Sequence, residues 1–476
     1  MITLLKQIRK DTFIYGIGGV ITAVFHLLVL PIYTRFLSPA EYGIIEAMLI
    51  INAFFAIFVN IGMDMVQSYY FFEQKKSGLE QQKKVITSIF QWRLTFGFTA
   101  VIAATFIAPI LPLWFLGSTS NWPLFFIAFS GVWLSQLVSQ CAEIFRLLYK
   151  PWPYLAITIS HSIGSALIII GLVVWAQMGV LGYFIGLSIS ALTVALISWS
   201  AARNYIDWSK LHFEWWPHFL RFGVPLIPGA IAMYVLNSSD RLFIAHFHGK
   251  EELGFYAVGN KLALGLLLFV EPFRKAWWPI AMDALHKTEG PTLIAFISRA
   301  YLAVGAALVV SLTAFSPILA KWFLAPQYFE AYLIIGILAW KTLFFGYFMI
   351  CSLGIWKEKK TDLIPLLHIA AAVSNVILNF LLIPKYAGMG AALGTSASFL
   401  IWIILTLIVN QKYLHIDFSW STMGFQIFGG FIATGVLLFF FQNDAGIFKI
   451  SIFTGISIFL LIISAAKFSH FQKIQF

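Results

Sequence analysis

Two lysines stand where a membrane-spanning helix would have its middle. Lys341 lies near the centre of an apolar run at 329–355, and Lys261 lies about eight residues into another at 253–278, roughly 12 Å deep at the helical rise. A charge near the midplane of a bilayer costs roughly 2.5–3.5 kcal/mol, so each amine needs a partner or a wet cavity. Ammonium and guanidinium groups pair strongly with phosphate oxygens, which makes an anionic, phosphate-bearing ligand the chemistry these lysines fit. The alternative is an internal ion pair: Asp240 is at comparable depth to Lys261, whereas no such acid stands out for Lys341. Arg241 sits nearer the outer end of its run, with Asn237 four residues earlier on the same helical face. Arg35, close to Glu41 and Glu46, reads either as a helix-end charge or as a further ligand. His26 ends a stripe of Thr12, Tyr15, Gly19 and Thr22 at spacings of 3 and 4, and is either a proton site or a packing residue. His368, Asn375 and Asn379 share one face of another run; such an amide ladder binds hydroxyls or glues helices. Asn60, Asp64 and Gln67 form a polar stripe, while Arg93, Arg146, Arg221 and Arg299 sit near helix ends, where snorkelling explains them.

These residues need helices to hold them. With 60% hydrophobic and 11% charged residues in 476, the chain is no set of soluble domains. Its long continuous apolar runs fit membrane helices rather than the short alternating strands of a barrel. Fourteen spans are expected, at 12–36, 42–68, 86–116, 122–147, 154–177, 179–201, 219–246, 253–278, 293–320, 329–355, 363–383, 387–410, 421–441 and 447–467. Assigning the termini and alternate connections to the cytoplasm places 19 basic residues inside and 5 outside, so both termini are expected inside. The net charge of +11 therefore reports topology and not nucleic-acid binding. Cys141 and Cys351 lie within apolar runs and offer no disulfide or metal-ligand spacing. Pro225 and Pro228 are expected to bend the seventh span.

The first two spans meet at Leu-Pro-Ile-Tyr-Thr-Arg-Phe-Leu-Ser-Pro-Ala-Glu-Tyr-Gly, residues 30–43. An echo follows 211 residues later, with Phe36, Glu41 and Gly43 falling on Phe247, Glu252 and Gly254. At an offset of 208, Gly182, Gly186, Ser188 and Ser190 fall on Gly390, Gly394, Ser396 and Ser398. Two echoes at nearly one spacing imply a duplication in parallel sense. The expected architecture is an all-α integral membrane protein: an N-lobe at 1–210, a C-lobe at 211–412, each of six helices, and two added helices at 413–476.

This arrangement resembles the polysaccharide and O-antigen flippases of the multidrug/oligosaccharidyl-lipid/polysaccharide exporter superfamily. The residues that carry the resemblance are the stretch at 30–43, Gly62-Met63-Asp64, Ser239-Asp240-Arg241-Leu242 and Leu253-Gly254-Phe255-Tyr256. The resemblance implies two bundles flanking an alternately opening cavity in the bacterial cytoplasmic membrane. Its implied cargo is an undecaprenyl-diphosphate-linked oligosaccharide, such as an O-antigen or other surface-polysaccharide repeat unit, moved from the inner to the outer leaflet. A drug or organic-cation antiporter of the same superfamily is the alternative, but it calls for buried acids in the first lobe. A membrane glycan polymerase would need a sizeable outer loop or clustered catalytic acids. No Gly-x-x-x-x-Gly-Lys-Ser/Thr loop is present, so ATP hydrolysis by that route is not expected; no enzyme chemistry and no cofactor are expected of a flippase of this kind. A proton or sodium ion is the expected coupling partner, alongside membrane lipid.

Overall fold

The computed structural model describes residues 18–19, 21–22, 24–107, 122–208, 211–443 and 446–466. Thr12 and Tyr15, the end of the third expected span at 108–116, Lys210 and both chain termini lie outside the described residues. All regular structure among the described residues is helical. Eleven helical runs are long and apolar enough to cross a membrane, and a shorter apolar helix precedes them. Helices satisfy their own backbone hydrogen bonds, which is why so apolar a chain folds this way where lipid cannot supply partners.

The chain divides into two compact units, Met1–Tyr234 with His248–Gly254, and Val235–Phe247 with Phe255–Phe476. The first holds α1 (Val24–Phe36), α2 (Pro39–Asn60), α3 (Met63–Glu73), α4 (Leu79–Ile107), α5 (Trp122–Leu147), α6 (Pro151–Ile170), α7 (Gly179–Ala202) and the short α8 (Trp216–Gly223). Helix α9 (Ile227–Ala263) begins there and continues in the second unit. The second unit goes on with α10 (Leu267–Ala284), α11 (Gly290–Phe323), α12 (Tyr332–Cys351), α13 (Leu353–Lys357), α14 (Leu363–Tyr413), α15 (Trp420–Gly424), α16 (Gly430–Gln442) and α17 (Ile447–Ala466).

Local sequence explains the punctuation. Ser38 caps α2 in a reciprocal box: its hydroxyl accepts from the Glu41 amide at 3.3 Å, and its own amide donates to the Glu41 carboxylate at 2.9 Å. Pro39 follows at the first turn, where its missing N–H costs nothing. Pro225, one of the two prolines expected to bend the seventh span, lies in a 3-10 turn at Val224–Leu226, between α8 and α9. Helix α14 is 51 residues long, about 77 Å at the helical rise against a hydrocarbon core of about 30 Å, so it cannot be one span. It breaks at Ala387 (φ 48°), and α9 breaks at Gly249 (φ 84°).

Within the first unit, Phe90, Leu137, Cys141, Ile144 and Phe145 belong to one buried cluster, and Met63, Val66, Ile89, Trp92 and Phe219 to another. The connection after α7 is tied to α4: Ser88 donates to the His212 carbonyl at 2.7 Å, and the His212 and Asp207 amides donate to Gln91 and Thr87. Within the second unit, Trp340 stacks on Phe431 with centroids 4.3 Å apart and donates its indole N–H to Thr434, fastening α16 to α12. The 208-residue echo has a matching physical use in each unit. Ser188 on α7 donates to the Ile127 carbonyl of α5 at 2.8 Å, and Ser396 on α14 donates to the Ile337 carbonyl of α12 at 2.7 Å. Hydroxyl-to-carbonyl bonds of this kind join helices where apolar burial offers no driving force against lipid.

Candidate functional site

The break at Gly249 lets the two parts of α9 return alongside each other, and Tyr256 then donates its hydroxyl to Asp240. The break at Ala387 does the same for α14, bringing Thr395 beside Asn375. Asp240 is 1% exposed and accepts from Tyr256, from the Thr395 hydroxyl at 3.0 Å and from the Arg241 amide at 2.9 Å. Ser239, its neighbour, donates to the Asn375 side-chain oxygen at 2.6 Å. Asn379 donates to that same oxygen at 2.8 Å and to Ser239 at 3.3 Å. Asn375 donates in turn to Thr395 and Ser398, each at 3.4 Å.

Asn375 and Asn379 are fully buried, and the Asn379 Oδ1 has no hydrogen-bond donor. Buried acceptors without donors are costly, and a cation removes that cost. The arrangement thus gathers one carboxylate, two amide oxygens and four hydroxyls inside a single unit. One formal charge with neutral oxygens suits a monovalent hard cation. A calcium or transition-metal site would want more carboxylates or imidazoles. No group of three His, Cys, Asp or Glu with metal-ligand placement occurs among the described residues.

Sequence reading marked Asn375 and Asn379 as a ladder and gave Asp240 only the role of neutralising Lys261. It marked Ser239 and Tyr256 only as carriers of the family resemblance and Ser398 only as part of the 208-residue echo, and it did not mark Thr395. The available signal was Asp240 within a polar Ser-Ser-Asp-Arg run, matched by hydroxyl residues at 395 and 398 on the partner of the amide helix.

The cationic residues take different places. Lys341 on α12 is 6% exposed; its amine donates to the Asn237 carbonyl at 3.2 Å and lies 5.8 Å from the Phe399 ring centroid. It is thereby linked to the helix that carries Asp240. Lys261, Arg241 and Asn237 are half-buried on α9, and Arg35 is exposed near the end of α1, where a positive charge complements the helix dipole. His26 joins α1 to α6 through the Ser162 hydroxyl at 3.1 Å. His368 departs from the amide ladder and lies 5.3 Å from the Trp402 ring.

Two arginines expected to snorkel do not. Arg93 is 0% exposed: it donates to the Gln136 carbonyl at 2.9 Å, to Asn60 at 3.0 Å and to Asp64. Asn60 on α2 and Asp64 on α3 are therefore the partners of a buried guanidinium, whose desolvation the pairing offsets. Arg299 is 3% exposed and donates to Ser419 at 2.9 Å. The first unit also contains a cavity of about 300 Å³ lined by small and apolar residues, with Asn52, Ser135 and Gln136 as its polar members. Ser135 lies 3.4 Å from the His161 Nε2.

The helical connectivity is shared along most of the chain with solved membrane proteins. The solved lipid II flippase MurJ, in an inward closed conformation, superposes with a TM-score of 0.71 at 18% identity, over 95% of this chain and 98% of that one. An inward-facing multidrug resistance MATE family transporter of the MOP superfamily gives 0.69 at 13% identity, over 82% of this chain and 94% of that one. A Haemophilus influenzae protein of the Lsg locus is 25% identical over 288 residues, covering 60% of this chain and 68% of its own length. The sequence profile of the polysaccharide biosynthesis protein family matches residues 8–284, more than half of the chain. The chain belongs to that family.

Proposed function

We propose that the protein is an alternating-access flippase of the bacterial cytoplasmic membrane. Its cargo is an undecaprenyl-diphosphate-linked oligosaccharide, the O-antigen or another surface-polysaccharide repeat unit, carried from the inner to the outer leaflet. It has fourteen spans, with both termini in the cytoplasm: two six-helix lobes related by duplication and two added helices. Lys261, Lys341, Arg241 and Arg35 supply positive charge for the diphosphate, and Asn237 and His26 supply polar contacts. A sodium ion at Asp240, held with Ser239, Thr395, Asn375 and Asn379, couples the cycle to the membrane gradient.

The observation that carries this reading is the family match, joined to a likeness to the lipid II flippase that spans 95% of the chain. The donor-free Asn379 oxygen beside a buried carboxylate supports the coupling ion, because neutral oxygens serve a metal cation where a proton would need only the acid. Depleting the protein should make lipid-linked glycan accumulate on the inner leaflet, read by leaflet-selective glycan labelling. The buried acid and the multidrug-transporter likeness also fit a drug antiporter. Heightened drug sensitivity on depletion, with no glycan accumulation, would establish that reading and overturn ours.

A further inference from the structure

The cavity of about 300 Å³ inside the first unit contains an acceptor that nothing answers. Asn52 on α2 lines it and is 5% exposed, and its Oδ1 meets no hydrogen-bond donor among the described residues. Ser135 and Gln136 on α5 are the other polar members of the wall. Asn52 and Ser135 each stand thirteen residues into their helices, about 20 Å from the first turn and so near mid-membrane. An amide oxygen without a donor at that depth is costly, because lipid has no N–H or O–H to offer. The site therefore calls for a ligand that brings donors.

Small residues make the space, Ala53 and Ala56 on α2 and Gly131 on α5 among them. Gly131 is bare because α7 packs on it: a methyl group there would stand 2.7 Å from the Ser188 Oγ, which donates to the Ile127 carbonyl. The polar wall is held from behind. The Gln136 carbonyl accepts from Arg93 at 2.9 Å, and the Ser135 Oγ lies 3.4 Å from the Nε2 of His161 on α6. Support of this kind keeps a binding site in one geometry. Ala53 is exposed and Ser135 and Gln136 are half-buried, so a ligand has a way in.

The lining residues are all neutral, which does not suit a diphosphate. An acyl chain would leave the Asn52 oxygen unanswered. The volume is at the low end of the roughly 300–1,000 Å³ typical of small-molecule sites, which suits one ring and not a whole repeat unit. A sugar ring supplies hydroxyl donors for Asn52 and an apolar C–H face for the alanines. We propose that this cavity is a subsite for a single neutral sugar ring, by which the protein tells one glycan from another. The subsite rests on the flippase reading for the source of its sugar.

A thiol in the wall tests it in the purified full chain. Methyl methanethiosulfonate should modify Ala56→Cys and spare wild type, whose Cys141 and Cys351 are 0% exposed. Glucose, galactose, mannose and N-acetylglucosamine are each added at rising concentration, with cyclohexanol as a ring of one hydroxyl. At least one sugar should slow the modification severalfold, and cyclohexanol should not. Adding Asn52→Leu keeps the volume and removes the acceptor. Modification without sugar should then keep its rate, while protection should need about tenfold more sugar. In cells, Ala56→Phe should fill the cavity and block glycan export at normal membrane abundance, and Ala56→Ser should export as wild type does. If Ala56→Phe is absent from the membrane, Asn52→Leu carries the same export test. Protection by none of the sugars, equal protection by cyclohexanol, or protection indifferent to Asn52→Leu overturns the subsite. Wild-type export by Ala56→Phe overturns it too. Sugar protection that Asn52→Leu weakens, in a protein whose depletion causes no glycan accumulation, upholds the subsite and strikes the flippase reading.

Discussion

Replacing Thr395 with valine tests the coupling site with the least disturbance, since it keeps the side chain's shape and removes one hydroxyl. That hydroxyl donates to Asp240 at 3.0 Å inside a site where the carboxylate is 1% exposed. To hold sodium the hydroxyl must turn its proton from the carboxylate and offer its oxygen, so valine removes one neutral ligand; a loss of about 1.4 kcal/mol, tenfold in sodium binding, is the expected effect. The assay is thermal unfolding of the purified protein in sodium against choline at fixed pH and ionic strength. At a sodium concentration 100 times the wild-type Kd, binding stabilises by about 2.7 kcal/mol; tenfold weaker binding lowers that to about 1.4 kcal/mol. Asp240→Asn should abolish the sodium response, because it removes the charge and leaves an NH2 group facing a donor in either orientation, the Arg241 amide or the Tyr256 and Thr395 hydroxyls. A wild-type protein indifferent to sodium, or an Asp240→Asn variant that responds as wild type does, would refute the assignment.

Three further outcomes are expected. Arg93→Ala strands Asp64, which is half-exposed and so partly solvated; the loss of about 2–3 kcal/mol should lower membrane abundance on immunoblots, with partial recovery in Arg93→Ala/Asp64→Ala. Lys341→Met keeps the volume and removes the charge, so abundance should hold while glycan export is lost; wild-type export would remove Lys341 from the cargo site. Ala40→Cys, at the exposed start of α2, should react with an impermeant thiol reagent in intact cells, and labelling only after lysis would invert the topology.

The physical reasons for what was legible are uneven. Apolar runs long enough for a bilayer announce helices, because lipid leaves the backbone no other way to satisfy itself, and Ser38-Pro39-Ala40-Glu41 announces a helix start by its capping chemistry. The depth of a charge is legible too, but its partner is not. The sequence reading put Arg93 and Arg299 near helix ends, whereas Arg93 stands at the middle of α4 and Arg299 well inside α11, each held by acceptors from elsewhere in the chain, Gln136 and Asn60 for one and Ser419 for the other. Asp240 shows the same limit in the opposite sense. A rule that seeks the nearest opposite charge pairs it with Lys261, whereas the structure surrounds it with hydroxyls from Tyr256 and Thr395, 16 and 155 residues away. Those contacts depend on two backbone breaks, at Gly249 and Ala387, and both fall where separate spans were expected, between 219–246 and 253–278 and between 363–383 and 387–410. What the sequence does not announce is the conformation at the second break, an alanine at φ 48°, which costs about 1–2 kcal/mol. The break at Ala387 sets how the amide helix meets Thr395, so the side-chain partners in the cage follow from a backbone angle that apolar periodicity does not encode.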